Sequence, residues 1–139
     1  VLASRGNFDR CRLFKLLPPR KLIQVMCHVL IIEDEPLIAL LIETLVEDAG
    51  ATSWDIAATQ EAAVAAAMAR PPDLITSDVQ LLEGTGPEAV ASIHAALGIR
   101  PVIYVTATPD ACKPLSPSSI ILRKPMQAAA FTEAFREMC

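Results

Sequence analysis

No uninterrupted apolar run in this 139-residue chain reaches the roughly 18 residues that a membrane-spanning helix requires, although 53% of its residues are hydrophobic. The chain therefore reads as soluble, with no membrane partner. Its four cysteines, Cys11, Cys27, Cys112 and Cys139, include no Cys-x-x-Cys pair and have no histidine at zinc-finger spacing. Neither a metal site nor a disulfide framework is supported, and the cysteines read as reduced thiols of a cytoplasmic protein. Aromatic residues are few, and Trp54 and Tyr104 read as packing residues rather than stacking platforms. Basic charge is scarce where a nucleic-acid binder would need it. Residues 1–25 carry six basic side chains against Asp9 alone, a net +5, while the remainder carries six basic and fifteen acidic residues, a net −9. An acidic domain has no electrostatic footprint for nucleic acid.

What is present fits one domain with enough chain to bury a core. Residues 1–27 form a basic extension whose apolar fragments follow no lasting period, and this segment reads as disordered. Met26 stands just before the first strand and reads as a natural start, the earlier residues being an over-long start assignment. The domain proper spans 28–139. Val29-Leu30-Ile31-Ile32 is a buried strand that ends on Glu33-Asp34-Glu35-Pro36, and Pro36 opens a helix with an apolar stripe that stops at Gly50. Ser53–Ala57 is a weaker strand, and the alanine-rich helix after it has Thr59 as N-cap and Pro71-Pro72 as its stop.

Leu74-Ile75-Thr76-Ser77 leads into Asp78, a Gly-rich loop and a helix from about Pro87 to Ala96. Pro101–Val105 is the fourth strand. The segment from Pro109 to Ser119 holds several prolines and serines, so mostly loop stands where a crossover helix is expected. Ile120–Leu122 is the fifth strand, and Gln127–Met138 the last helix. Strands alternating with helices in this way imply an α/β fold, a doubly wound parallel sheet.

Polar residues stand at the carboxyl ends of four strands: Glu33 with Asp34, Asp78, Thr106 and Lys124. Ligands of open α/β sheets bind outside those ends. Clustered carboxylates repel one another unless a cation sits among them, and a hard ion such as Mg²⁺ takes carboxylate oxygens, carbonyls and water. The set matches phosphoryl transfer: Asp78 as nucleophile; Glu33, Asp34, Asp78 and the Gln80 backbone carbonyl as metal ligands; Lys124 as the cation; and Thr106 as a hydroxyl donor. Glu35 reads as no more than a complement to the helix dipole. His28 and His94 read as incidental.

Ile31-Ile32-Glu33-Asp34-Glu35-Pro36, Asp73-Leu74-Ile75-Thr76-Ser77-Asp78, Val105-Thr106-Ala107 and Arg123-Lys124-Pro125 resemble, in order, the receiver domain of two-component response regulators. The resemblance implies a flavodoxin-like five-stranded fold and a cis Lys124–Pro125 peptide. It also implies phosphorylation of Asp78 by a histidine kinase or a histidine phosphotransfer protein, with output through a downstream protein. The chain then reads as a stand-alone phosphoacceptor rather than an enzyme. Ile121 stands where the family usually has an aromatic switch residue. Tyr104 and Thr106, with the shortened segment before the fifth strand, make the chain similar to receivers of alphaproteobacterial general-stress-response regulators. A rival from another class, a small Mg²⁺-dependent phosphatase, would need a second acid at the position of Gln80. A pseudo-receiver used only for binding would have lost its acids or the lysine, and this chain keeps both.

Overall fold

The run His28-Val29-Leu30-Ile31-Ile32 forms β1, and all five residues are buried, as a strand covered on both faces by helices must be. In the computed structural model, which describes residues 26–109 and 118–139, β1 is an interior strand of a five-stranded sheet, paired with a neighbour on each side. The others are β2 (Ser53–Ala57), β3 (Leu74–Ser77), β4 (Val102–Thr106) and β5 (Ser119–Arg123). Every pairing is parallel and the order is β2-β1-β3-β4-β5, the flavodoxin-like arrangement whose switch point lies between β1 and β3. The chain leaves β1 toward one edge and β3 toward the other, so a crevice opens above their carboxyl ends.

Four helices flank the sheet among the described residues: α1 (Pro36–Ala49), α2 (Gln60–Ala69), α3 (Gly86–Leu97) and α4 (Ala128–Met138). Pro36 occupies the first turn of α1, where its missing N–H costs nothing. The helix ends at Gly50, whose φ of 115° is left-handed. Gly50 N–H donates to Glu47 O at 3.1 Å and Ala51 N–H to Val46 O at 2.9 Å, which satisfies two terminal carbonyls. Thr59 caps α2 by accepting Ala62 N–H at 3.0 Å, and Thr85 caps α3 by accepting Glu88 N–H at 3.2 Å. Each such cap is worth about 1 kcal/mol.

Strand alternation divides the core in two. Val29, Ile31, Leu74, Ile103 and Val105 pack with Ile42, Val46, Phe131 and Phe135 of α1 and α4. Leu30, Ile32, Ile75, Val102 and Tyr104 pack with Ala63, Ala67, Ala89, Val90 and Ile93 of α2 and α3. The alanine run of α2 thus puts its smallest side chains against the sheet and α3, where they let the backbones approach closely.

Two readings are corrected here. Cys27 and Cys139 form a disulfide, with their Cα atoms 6.3 Å apart and a sequence separation of 112; spacing cannot reveal a pair that only the topology brings together. His28 is not incidental. It is buried, with Nδ1 2.8 Å from Ser53 Oγ and Nε2 3.1 Å from Asp55 Oδ2. The loop read in place of a fourth crossover helix falls mainly on residues 110–117, and the basic extension on 1–25; both lie outside the described residues.

Candidate functional site

Glu33 is the first residue past β1. Its side chain is buried, and Oε2 accepts Glu35 N–H at 3.1 Å. Oε1, also buried, has no hydrogen-bond donor. Burial pushes the Glu33 carboxyl up to about 7, against the Glu35 N–H and the Lys124 charge, which pull the other way; Asp78 and Asp34 add to the rise. A carboxylate so placed is short of positive charge.

Asp78 follows β3 directly, with Oδ1 accepting Val79 N–H at 2.6 Å. Lys124, one residue past β5, donates from Nζ to Asp78 Oδ2 at 3.1 Å. The same ammonium lies 3.5 Å from Glu35 Oε1 and 3.6 Å from Glu33 Oε1. Burial works against that ammonium, but the Asp78 hydrogen bond and the charges of Glu33, Asp78 and Glu35 outweigh it and hold the Lys124 pKa above its ordinary value. Lys124–Pro125 is cis, as the resemblance implies.

The loop after Asp78 is pinned by backbone. Ser77 Oγ donates to Asp78 O at 2.7 Å, Gly86 N–H donates to Val79 O at 2.8 Å, and Gln80 bridges Thr85. A Cβ on Gly86 would collide with the Asp78 carbonyl and Ser77 Oγ. Glycine is therefore what lets the start of α3 close over the strand end.

Glu33, Asp78 and Lys124 meet as sequence reasoning expects, and Glu35 joins them. Carboxylate oxygens of Glu33, Glu35 and Asp78 all lie within 4.8 Å of one another, a group that does not include Asp34. The signal for Glu35 was in the backbone. Glu35 is extended, at φ −92° and ψ 114°, and residues two apart on extended chain share a face while the one between points away. Asp34 is half-buried beside the cluster, close enough for its charge to act on Glu33. Thr106, buried at the end of β4, accepts Thr108 N–H at 3.0 Å; among the described residues its hydroxyl bonds Thr108 and not Asp78. Gln80 is exposed just past Val79. Ile121 is half-buried, adjacent in register to Tyr104, on the α2–α3 side of the sheet.

The donor set fits a hard divalent cation. Glu33 Oε1, buried without a hydrogen-bond donor, belongs to a triad of carboxylates whose charge the single Lys124 ammonium compensates only in part, and oxygen-only ligation is what Mg²⁺ takes. Mg²⁺ is the cofactor of this site.

The response regulator receiver domain model matches residues 29–135. The phyllosphere-induced regulator PhyR of Methylorubrum extorquens is 42% identical over 85 residues, which are 60% of this chain and 32% of that protein. The chain thus spans about a third of that relative's length. The receiver domain of Erythrobacter litoralis PhyR superposes with a TM-score of 0.71 at 31% identity, covering 81% of this chain and 89% of that one. PhyR of Bartonella quintana, described as an anti-anti-sigma factor, does so with a TM-score of 0.71 at 33% identity, over 91% of this chain and 55% of that one. With acid cluster, strand-end aspartate and lysine on the matched strands, the chain belongs to the response regulator receiver domain family, and is similar within it to the receivers of PhyR-type regulators.

Proposed function

We propose that Asp78 is the phosphoacceptor of this receiver and that it takes its phosphoryl group from a phosphohistidine of a histidine kinase or phosphotransfer protein. The observation that carries this is the grip of Lys124 on Asp78 at 3.1 Å beside the Glu33, Glu35 and Asp78 triad. Asp78 is partly open, its side chain 12% exposed, so a donor can reach it. A carboxylate oxygen attacks phosphorus in line as the P–N bond to the donor imidazole breaks, and the donor leaves as neutral histidine after taking up a proton. Mg²⁺ supplies neutralisation of the phosphoryl oxygens. Glu33, Asp34, Glu35, Asp78 and the Gln80 carbonyl are the groups that would hold it.

Lys124 then exchanges its Asp78 contact for a phosphoryl oxygen, keeping charge compensated. Thr106 offers its hydroxyl from the end of β4 and must give up Thr108 to do so. That exchange is a local change able to bias the loops after β3 and β4. Beside Glu35, Leu37, Leu40 and Leu41 are exposed on α1 at the i, i+3, i+4 spacing of a single helical stripe, a surface suited to a donor helix.

The downstream partner we propose is an anti-sigma factor, by likeness to the Bartonella quintana protein. The setting is the cytoplasm, where kinases form phosphohistidine. Incubating a radiolabelled phosphohistidine donor with the protein and Mg²⁺ tests the reading. Label should pass to this chain in acid-stable, hydroxylamine-labile form. Label that stays on the donor would refute the reading, and free phosphate released over many turnovers of a phosphomonoester would favour a hydrolase.

A further inference from the structure

Outside the phosphorylation site, the described residues bring one chemically reactive pair together. Cys27 precedes β1 and is only 4% exposed. Thr52 holds its backbone from both sides: Thr52 Oγ1 accepts Cys27 N–H at 2.9 Å and donates to Cys27 O at 3.1 Å, and Thr52 N–H donates to the same carbonyl at 2.9 Å. Cys139 caps α4, with its N–H donating to Phe135 O at 2.9 Å, and it is exposed. Their Cα separation of 6.3 Å lies in the ordinary range for a disulfide, so the pair closes on backbone that hydrogen bonds already fix.

We infer that Cys27 and Cys139 are a reversible thiol–disulfide exchange site, whose substrates are small disulfides and thiols and whose closure fastens α4 to the start of β1. The asymmetry of exposure gives the order of steps. The Cys139 thiolate attacks one sulfur of a low-molecular-weight disulfide such as oxidised glutathione, breaking its S–S bond and releasing one thiolate. Cys27 as thiolate then attacks the Cys139 sulfur of the mixed disulfide and expels the second. Two protein thiols become one disulfide and one oxidised glutathione becomes two reduced ones, with the two protons passing to the released thiolates. Reduction reverses the sequence, beginning with attack by a solvent thiol on the exposed sulfur of Cys139.

Closure has reach because of where α4 sits. It begins three residues after Pro125, at Ala128, and Lys124 is the residue that grips Asp78. It also lays Phe131 and Phe135 into the core between β1 and α1. A link across 112 residues removes a large loop entropy from the unfolded chain and ties the whole receiver end to end.

The test uses the full chain carrying Cys11→Ser and Cys112→Ser, so that only the pair in question can react. Native protein is equilibrated across a series of reduced-to-oxidised glutathione ratios, quenched with acid, alkylated and measured by intact mass and peptide mapping. The expected result is a reversible two-electron transition that joins the Cys27 and Cys139 peptides. The oxidised form should melt about 10 °C or more above the reduced one. Cys139→Ser in the same background should melt like the reduced form whatever the ratio. Thiols that stay free even in excess oxidised glutathione would overturn the inference. So would a bond that native protein does not surrender to excess reduced glutathione, or melting that ignores the ratio.

Discussion

Glu33→Gln isolates the buried charge at the centre of the site. With Mg²⁺ removed by chelator, the Glu33 carboxyl titrates near 7 in the folded protein, while in the unfolded chain it titrates near its ordinary 4.5. Between those values the unfolded state releases its proton and the folded state keeps it. The folded state therefore loses ground as pH rises from about 4.5, and the loss is complete just above 7. The interval from 4.5 to about 7, at roughly 1.36 kcal/mol per pH unit, gives about 3 kcal/mol.

Glutamine keeps the shape and cannot ionise, so other titrating groups cancel in the comparison. Urea unfolding of both proteins at intervals from pH 4.5 to 8 reads the difference. Wild type should fall relative to Glu33→Gln by about 3 kcal/mol across that window, and saturating Mg²⁺ should remove most of the fall by holding Glu33 ionised. Parallel stabilities from pH 4.5 to 8 without metal would refute the buried, cation-seeking carboxylate on which the site depends.

Lys124→Ala removes the cation that now lies among three carboxylates. It should tighten Mg²⁺ binding by about tenfold, the equivalent of roughly 1–2 kcal/mol of relieved repulsion, while slowing phosphoryl uptake; calorimetry and intact-mass kinetics check the two halves. Gly86→Ala drives a methyl into the Asp78 carbonyl and should cost about 1–3 kcal/mol in urea unfolding, with phosphorylation slowed as well. Thr59→Ala removes the cap of α2 and should cost about 1 kcal/mol in the same assay, leaving phosphorylation unchanged.

The strands were legible because each is a short apolar run closed by turn residues, and their ends could be placed to within a residue or two. The helix limits were legible for the same reason: Pro36 and Thr59 at helix starts and Gly50 at a helix end act locally. Asp78 and Lys124, 46 residues apart, could be brought together because strand ends in a parallel sheet share one edge. What sequence could not supply was side-chain direction. Glu33, Asp34 and Glu35 are equivalent as letters, and only the extended backbone at Glu35 turns it toward Lys124. Nor could it supply the partnership of Cys27 with Cys139, or that of His28 with Ser53 and Asp55, since those depend on how the amino ends of β1 and β2 and the end of α4 meet in space.

The central claim is that Asp78, gripped by Lys124 among the metal-holding acids, accepts the phosphoryl group. Incubation with acetyl phosphate and Mg²⁺ followed by intact-mass measurement tests it most directly. Wild type should gain the mass of a single phosphoryl group, lose it on treatment with hydroxylamine, and map it to the peptide holding Asp78; Asp78→Asn should gain none. An Asp78→Asn protein that still acquires the adduct would contradict the account.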